Sequence, residues 1–373
     1  MWRSTIPTTA PRRIGARTTV LSGPLLRVFG LLTVLSALLF LLSRAFSKSE
    51  DVAQSAPSQQ QQQGNGVGEQ YATCTPLDKI EEVHTNNRKV HNAIDSWIRD
   101  EDYNSSVFLY GMPKHVAHLS TKDVGEPVNL SDLVGFLATK FGPGTNYLEM
   151  GVSVGKTLYQ VLHTVCDSNV VAFDLETINP TFHRLLESKM NLVLKGGEAS
   201  LTGHSFLQEK YVSKKPDDCH VRRYDGVFRG NTFGYVDCDE FDLVGWRGIK
   251  DLVTSLGRGA TFQVIFSDAL HSVQAIRFEL DRIMDLELLD RQEFAYIWDD
   301  MGQRVPPLCE RVVEYADINV RHKISCVVAK IPGWFGVNEK PHNIAIITTL
   351  NIDDLVRKHM QSATYVRAPQ SSR

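Results

Sequence analysis

Nowhere in the 373 residues do two cysteines form a C-x-x-C pair. The six cysteines, at 74, 166, 219, 238, 309 and 326, show no metal-ligand spacing, which argues against a zinc finger or ribbon. Their even number permits disulfides and assigns none. An excess of one charge is also lacking. Forty basic against 43 acidic side chains leave a formal −3, and such a chain carries no electrostatic footprint for nucleic acid. No internal repeat is seen. The stretch "NYLEMGVSVGKT" looks like a nucleotide loop but lacks the defining glycine. A Walker loop has four residues between its first Gly and the Gly-Lys-Thr, whereas only Val152, Ser153 and Val154 separate Gly151 from Gly155. The phosphate reading weakens, and Glu149 needs another explanation. What is present is ordinary for a globular chain, 42% hydrophobic and 22% charged. The length allows one large domain or two small ones.

The first 27 residues carry Arg3, Arg12, Arg13, Arg17 and Arg27 and no acid. The apolar run Val28–Ser43 follows, bounded by Arg27 and Arg44. It is short against the roughly 20 residues that span a bilayer, but flanking arginines snorkel and Thr18–Leu26 extends it. The basic excess before the run predicts a signal anchor with its N-terminus cytosolic. A cleaved signal peptide and an organelle transit peptide share much of this pattern and stay open. Residues 44–71 include "SAPSQQQQQGNGVGEQ", a Gln-rich stem with no apolar period. This layout predicts a single-pass type II protein of the Golgi or endoplasmic reticulum. The folded domain, 72–350, would then be lumenal, with a tail at 351–373. "NSS" at Asn104 and "NLS" at Asn129 are glycosylation acceptors in that setting, though such triplets also arise by chance.

Within the domain, apolar strands alternate with helical patterns. "LSDLVGFLATKFGPG" places Leu130, Leu133, Val134, Leu137 and Phe141 on one helical face, ended by Gly142-Pro143. "NYLEM", "NVVAFDLE", "FQVIFSDA" and "EFAYIWDDM" read as strands. "KISCVVAKI" and "HNIAIITTL" read as an antiparallel pair. Alternation of this kind predicts an α/β, Rossmann-like, mostly parallel sheet with a C-terminal antiparallel hairpin. The stretch 190–239 is long and polar. Its Tyr211, Arg222, Arg223, Tyr224, Phe228 and Phe233 either wall an acceptor pocket or form a solvated insertion, and the composition favours the insertion.

Ligands of open parallel sheets bind outside the carboxyl ends of the strands. Glu149, Asp174, Asp268 and Asp299-Asp300 each end a strand, so the spacing predicts one acid-lined edge. A glycine turn followed by an acid at the next strand end is how such sheets hold a nucleoside.

"YLEMGVSVGKT", "VVAFDLE", "VIFSDALHS" and "YIWDDM", in this order, resemble class I S-adenosylmethionine-dependent methyltransferases. "SDALHS" is most similar to the small-molecule O-methyltransferase branch. The resemblance implies S-adenosylmethionine as cofactor, held by Glu149, Gly151, Ser153 and Gly155 with Asp174 on the ribose. It also implies O-methylation of a small or carbohydrate-like acceptor, with His271 and Asp268 as catalytic residues. By analogy with the metal-dependent members, Asp268, Asp299 and Asp300 would bind Mg2+, Asp300 standing where an asparagine is expected. Ser153 replaces the middle glycine of the fuller loop. Partners would be the small-molecule acceptor and the membrane, with no nucleic acid. Two other classes compete. "YVDCDEFD" contains Asp237-Cys238-Asp239, the D-x-D of a Golgi-type glycosyltransferase, and a membrane-tethered non-catalytic binding module would keep the fold without the chemistry.

Overall fold

The computed structural model describes residues 74–75, 77–100, 127–152, 155–195, 199–202, 218–301, 305–332 and 341–366. The Val28–Ser43 run, Asn104, Tyr211 and Ser153 lie outside them. Among the described residues no helix is long and apolar enough to cross a membrane. By its contacts the chain divides into Met1–Glu69 and Gln70–Arg373, and all that follows concerns the second unit.

Its strands are β1 (Asn146–Met150), β2 (Asn169–Asp174), β3 (Val193–Leu194), β4 (Ala199–Thr202), β5 (Asp218–Phe228), β6 (Asn231–Asp237), β7 (Val264–Ser267), β8 (Ala295–Trp298), β9 (Ser325–Ile331), β10 (His342–Thr348) and β11 (Ser362–Tyr365). They form one sheet in the order β11-β9-β10-β8-β7-β1-β2-β6-β5-β3, with β4 beside β5. The five central strands, β8, β7, β1, β2 and β6, are parallel. Strand β10 runs antiparallel to β8 and to β9, as the sequence predicts for the C-terminal hairpin. From β1 the chain passes to β2 and β6 on one side, then returns to β7 on the other. The switch point therefore falls between β1 and β7, where an open sheet leaves its crevice.

The central strands are buried on both faces and read as continuous apolar runs. One face packs under α1 (Ile80–Asp100), α2 (Leu130–Thr139), α3 (Lys156–Thr164), α4 (Pro180–Met190) and α8 (Asp353–His359), around Leu133, Leu158, Phe182 and Leu355. The other packs under α5 (Leu243–Ser255), α6 (Val273–Asp285) and α7 (Val305–Tyr315), around Trp246, Ile276, Leu280 and Val312. Helix α2 opens with a capping box. Asn129 accepts from the Asp132 amide, and the Asp132 side chain accepts from the Asn129 amide. Asn129 is wholly buried by this cap, which closes it as a glycosylation acceptor.

Two expectations change. The polar stretch 190–239 is no solvated insertion in its described part from 218 to 239: Arg222, Tyr224 and Phe233 are buried, and β6 within it is a central parallel strand. Gly234 obscures β6 in the sequence, since glycine weakens a strand pattern. Here glycine is required, because a Cβ at 234 would stand 2.6 Å from the Leu252 side chain of α5. The expected tail at 351–373 is also structured in part. Helix α8 buries Leu355 and Val356, and β11 pairs with β9 along the sheet edge.

All six cysteines are paired, Cys74 with Cys166, Cys219 with Cys238 and Cys309 with Cys326. The first ties the segment before α1 to the end of α3. The second joins β5 to the residue after β6, and the third joins α7 to β9.

Candidate functional site

The parallel strands end where the chain must turn, and the turns are built from backbone. The amide of Gly151 donates to the Phe173 carbonyl at 2.9 Å, and the Asp268 amide to the Met150 carbonyl at 2.8 Å. Gly151 has φ 78°, and a Cβ there would lie 2.2 Å from the Asp268 carbonyl oxygen. Only glycine lets the β1 turn sit against the end of β7. Gly155 also has φ 78°, but its missing Cβ makes room for the Phe182 ring of α4. It serves packing rather than the crevice.

A cleft of about 290 Å³ opens at this edge, lined by Gly151, Asp174, Asp239, Glu240, Phe241 and Asp268, among others. Asp174 accepts from the Val152 amide at 2.6 Å and from the Glu176 amide at 2.9 Å. The Asp174 carbonyl in turn accepts from the Cys238 amide at 2.8 Å, so the glycine turn, the end of β2 and the end of β6 are tied together. Glu149 is buried beneath them and accepts from the Tyr147 hydroxyl at 2.6 Å. Burial, with a smaller contribution from the Asp174 charge, pushes its carboxyl up to about 8. Glu240 is also pushed up to about 8, by burial and then by the Glu279 charge. Both acids are therefore neutral at pH 7.

A second group lies at the ends of β7, β8 and β10. The His271 ring is 3.6 Å from Asp268 through Nε2 and 3.8 Å from Asp300 through Nδ1. Asp299 is buried and takes the His342 ring at 2.6 and 2.8 Å, with the Asp300 amide donating at 2.7 Å. Asp268 is held well above the usual carboxylate range, by burial first and by the Asp299 charge next. Ligand atoms of Asp299, Asp300 and His342 lie within 4.8 Å of one another. These donors fit a divalent cation that accepts carboxylate oxygen and imidazole nitrogen. Asp268, expected from the sequence as a third ligand beside Asp299 and Asp300, falls outside that close trio and approaches it through His271.

The structure thus brings Gly151, Asp174, Asp268, His271, Asp299 and Asp300 to one edge, with Glu149 buried below and Gly155 turned to packing. Sequence reasoning missed His342 and Glu240, and named Asp239 only as part of the D-x-D. His342 was within reach of it. An antiparallel final strand starts where the parallel strands end, so the first residue of "HNIAIITTL" belongs to this edge. The D-x-D reading loses its first acid: Asp237 is buried, paired with Arg222 and bonded to the His220 ring at 3.0 Å. Its middle residue, Cys238, is in a disulfide.

No family model matches the chain, and no curated protein matches it either. The similar solved structures are methyltransferases, O-methyltransferases among them. An O-methyltransferase from Bacillus cereus, in complex with SAH, is 10% identical over 70% of this chain and 99% of its own, with a TM-score of 0.29. The magnesium protoporphyrin IX methyltransferase from Synechocystis PCC 6803, with SAM bound, is 12% identical over 71% and 96%, with a TM-score of 0.30. The release factor-specific protein-(glutamine-N5) methyltransferase from Alicyclobacillus acidocaldarius is 12% identical over 58% and 88%, with a TM-score of 0.28. At these scores the likeness carries no weight of its own. The fold rests on the strand order, and the chemistry on the residues of the site.

Proposed function

We propose that the chain is an S-adenosylmethionine-dependent methyltransferase acting on an oxygen of a small or carbohydrate-like acceptor. The observation that carries this reading is the cleft lined by Gly151, Asp174 and Asp268. It joins a glycine turn and a strand-end carboxylate, Asp174, to Asp268, which lies 3.6 Å from the His271 ring. S-adenosylmethionine, when bound, supplies the methyl group. Asp174 offers the carboxylate for ribose hydroxyls, and the Gly151 backbone gives close approach. His271 takes the acceptor hydroxyl proton. A proton arriving on Nε2 is met by Asp268 and one on Nδ1 by Asp300. A cation held by Asp299, Asp300 and His342, with Asp268 beside them, would polarise that hydroxyl and ease its deprotonation. Ser153 is proposed for the methionine end of the cofactor.

We further place the domain on the lumenal side of the Golgi or endoplasmic reticulum, tethered by Val28–Ser43 with the N-terminus cytosolic. The pairing of every cysteine supports this, because disulfides persist in oxidising compartments. Protease treatment of sealed microsomes tests the topology. The domain is expected to survive, and its digestion without detergent would refute the placement.

Labelled methyl transfer to a panel of catechols and sugars tests the chemistry. Cofactor binding without transfer to any acceptor would favour the non-catalytic module. Binding of sugar nucleotides instead would favour the glycosyltransferase.

A further inference from the structure

Strands β7 and β8 are in register, and their last paired residues are Ser267 and Trp298. The next residue on each strand is a functional acid, Asp268 on β7 and Asp299 on β8. The Asp299 amide donates back to the Ser267 carbonyl at 2.9 Å. Below this pair lies Glu279, 2% exposed in the apolar layer under α6. The Ser267 hydroxyl donates to its Oε2 at 2.7 Å, and the Trp298 indole N–H donates to its Oε1 at 2.9 Å. The Tyr296 hydroxyl donates to the same Oε1. One oxygen therefore serves β7 and the other serves β8.

A carboxyl group is an expensive choice among Ile276, Leu280 and Trp298, where an apolar side chain of similar volume packs without desolvation. The helix that bears it is also informative. Helix α6 starts at the Ser272 cap, directly after His271. Glu279 thus links three pieces of the site: the end of β7, the end of β8 and the helix that follows the candidate base.

We propose that Glu279 is a positioning residue, whose two oxygens set the spacing of the β7 and β8 ends and so align Asp268 and His271 with Asp299 and Asp300. The proposal rests on the methyl-transfer reading for its catalytic consequence, and on the hydrogen bonds alone for its geometry. Ser267→Ala keeps both Glu279 oxygens for Tyr296 and Trp298 on β8 and removes the tie to β7, whereas Glu279→Gln would leave an amide N–H from which the Ser267 hydroxyl can accept. Glu279→Leu removes both ties and fills the space.

The test uses the full chain with disulfides intact, and reads the His271 and His342 ring signals by NMR together with the melting temperature. In Ser267→Ala the His271 signals should move while those of His342, which is bonded to Asp299 at the end of β8, stay in place. In Glu279→Leu both sets should move, and the melting temperature should fall, because three buried donors lose their acceptor. A structural role alone would give the lower melting temperature with both rings unmoved. Methyl transfer to catechol, used as a probe, should fall on the order of a hundredfold in Glu279→Leu, the effect of misplacing reacting groups by about 1 Å. Unmoved His271 signals in folded Ser267→Ala would overturn the proposal, and this variant decides if Glu279→Leu does not fold. A wild-type chain that methylates nothing would overturn the reaction reading, while the ring signals would still decide the positioning.

Discussion

The two halves of the strand-end edge are built differently. On the β1, β2 and β6 side the groups are backbone amides, a glycine and acids kept neutral by burial, around an open cleft. On the β7, β8 and β10 side, each imidazole lies within 3.8 Å of a carboxylate, His271 of Asp268 and Asp300 and His342 of Asp299. The first arrangement suits holding a large ligand by shape and hydrogen bonds. The second suits moving a proton or holding a cation, because it sets imidazole nitrogens beside carboxylate oxygens. On the proposed methyl-transfer reading the edge divides between binding and chemistry, with Gly151 and Asp268 touching at the border.

The division is broken most strongly by removing the proposed base. His271→Ala should lower methyl transfer by about 10²–10⁴-fold, the usual worth of a general base, and leave cofactor affinity nearly unchanged. If a cation is needed as well, chelation should abolish turnover and spare cofactor binding. If His271 acts alone, a chelator should do nothing. Full activity in both His271→Ala and Asp268→Ala would move the acceptor to another part of the sheet.

The border itself is the next target. Gly151→Val would force a side chain against the Asp268 carbonyl from a left-handed backbone. Strain of this kind costs on the order of 1–3 kcal/mol, so both the melting temperature and cofactor affinity should drop. Gly155→Val, which meets the Phe182 ring instead, should lower stability with less effect on affinity for the folded protein.

A pH dependence is expected on the binding side as well. Glu149 and Glu240 titrate at about 8 in the fold, against 4.5 for an ordinary glutamate. Between those values the native state holds protons that the unfolded chain has released. Stability should therefore fall as pH rises across that window, by about 1.4 kcal/mol per pH unit for each group. Chemical denaturation at pH 5, 6 and 7 measures the slope, and Glu149→Gln should remove one group's share. A slope unchanged in that variant would show that Glu149 is ionised in the fold.

Much of this was legible in the sequence because each central strand is an apolar run that ends in an acid. "NYLEM", "NVVAFD" and "VIFSD" announce strand, end and edge together. Other parts were hidden for physical reasons. Strand β6 carries Gly234, whose use is visible only once Leu252 is packed against it. Glu279 looks like the polar side of an amphipathic helix until Ser267, Tyr296 and Trp298 are seen to donate to it. Disulfide pairing cannot be deduced from six scattered cysteines, since it depends on β5 lying beside β6 and α7 beside β9.

The most direct measurement is calorimetric titration of the chain and of Asp174→Ala with S-adenosylmethionine, with NAD and sugar nucleotides as controls. The account predicts binding of S-adenosylmethionine alone, weakened in Asp174→Ala by on the order of 1–3 kcal/mol as ribose hydroxyls lose their acceptor. Equal affinity in the two proteins, or preferential binding of NAD or a sugar nucleotide, would contradict it.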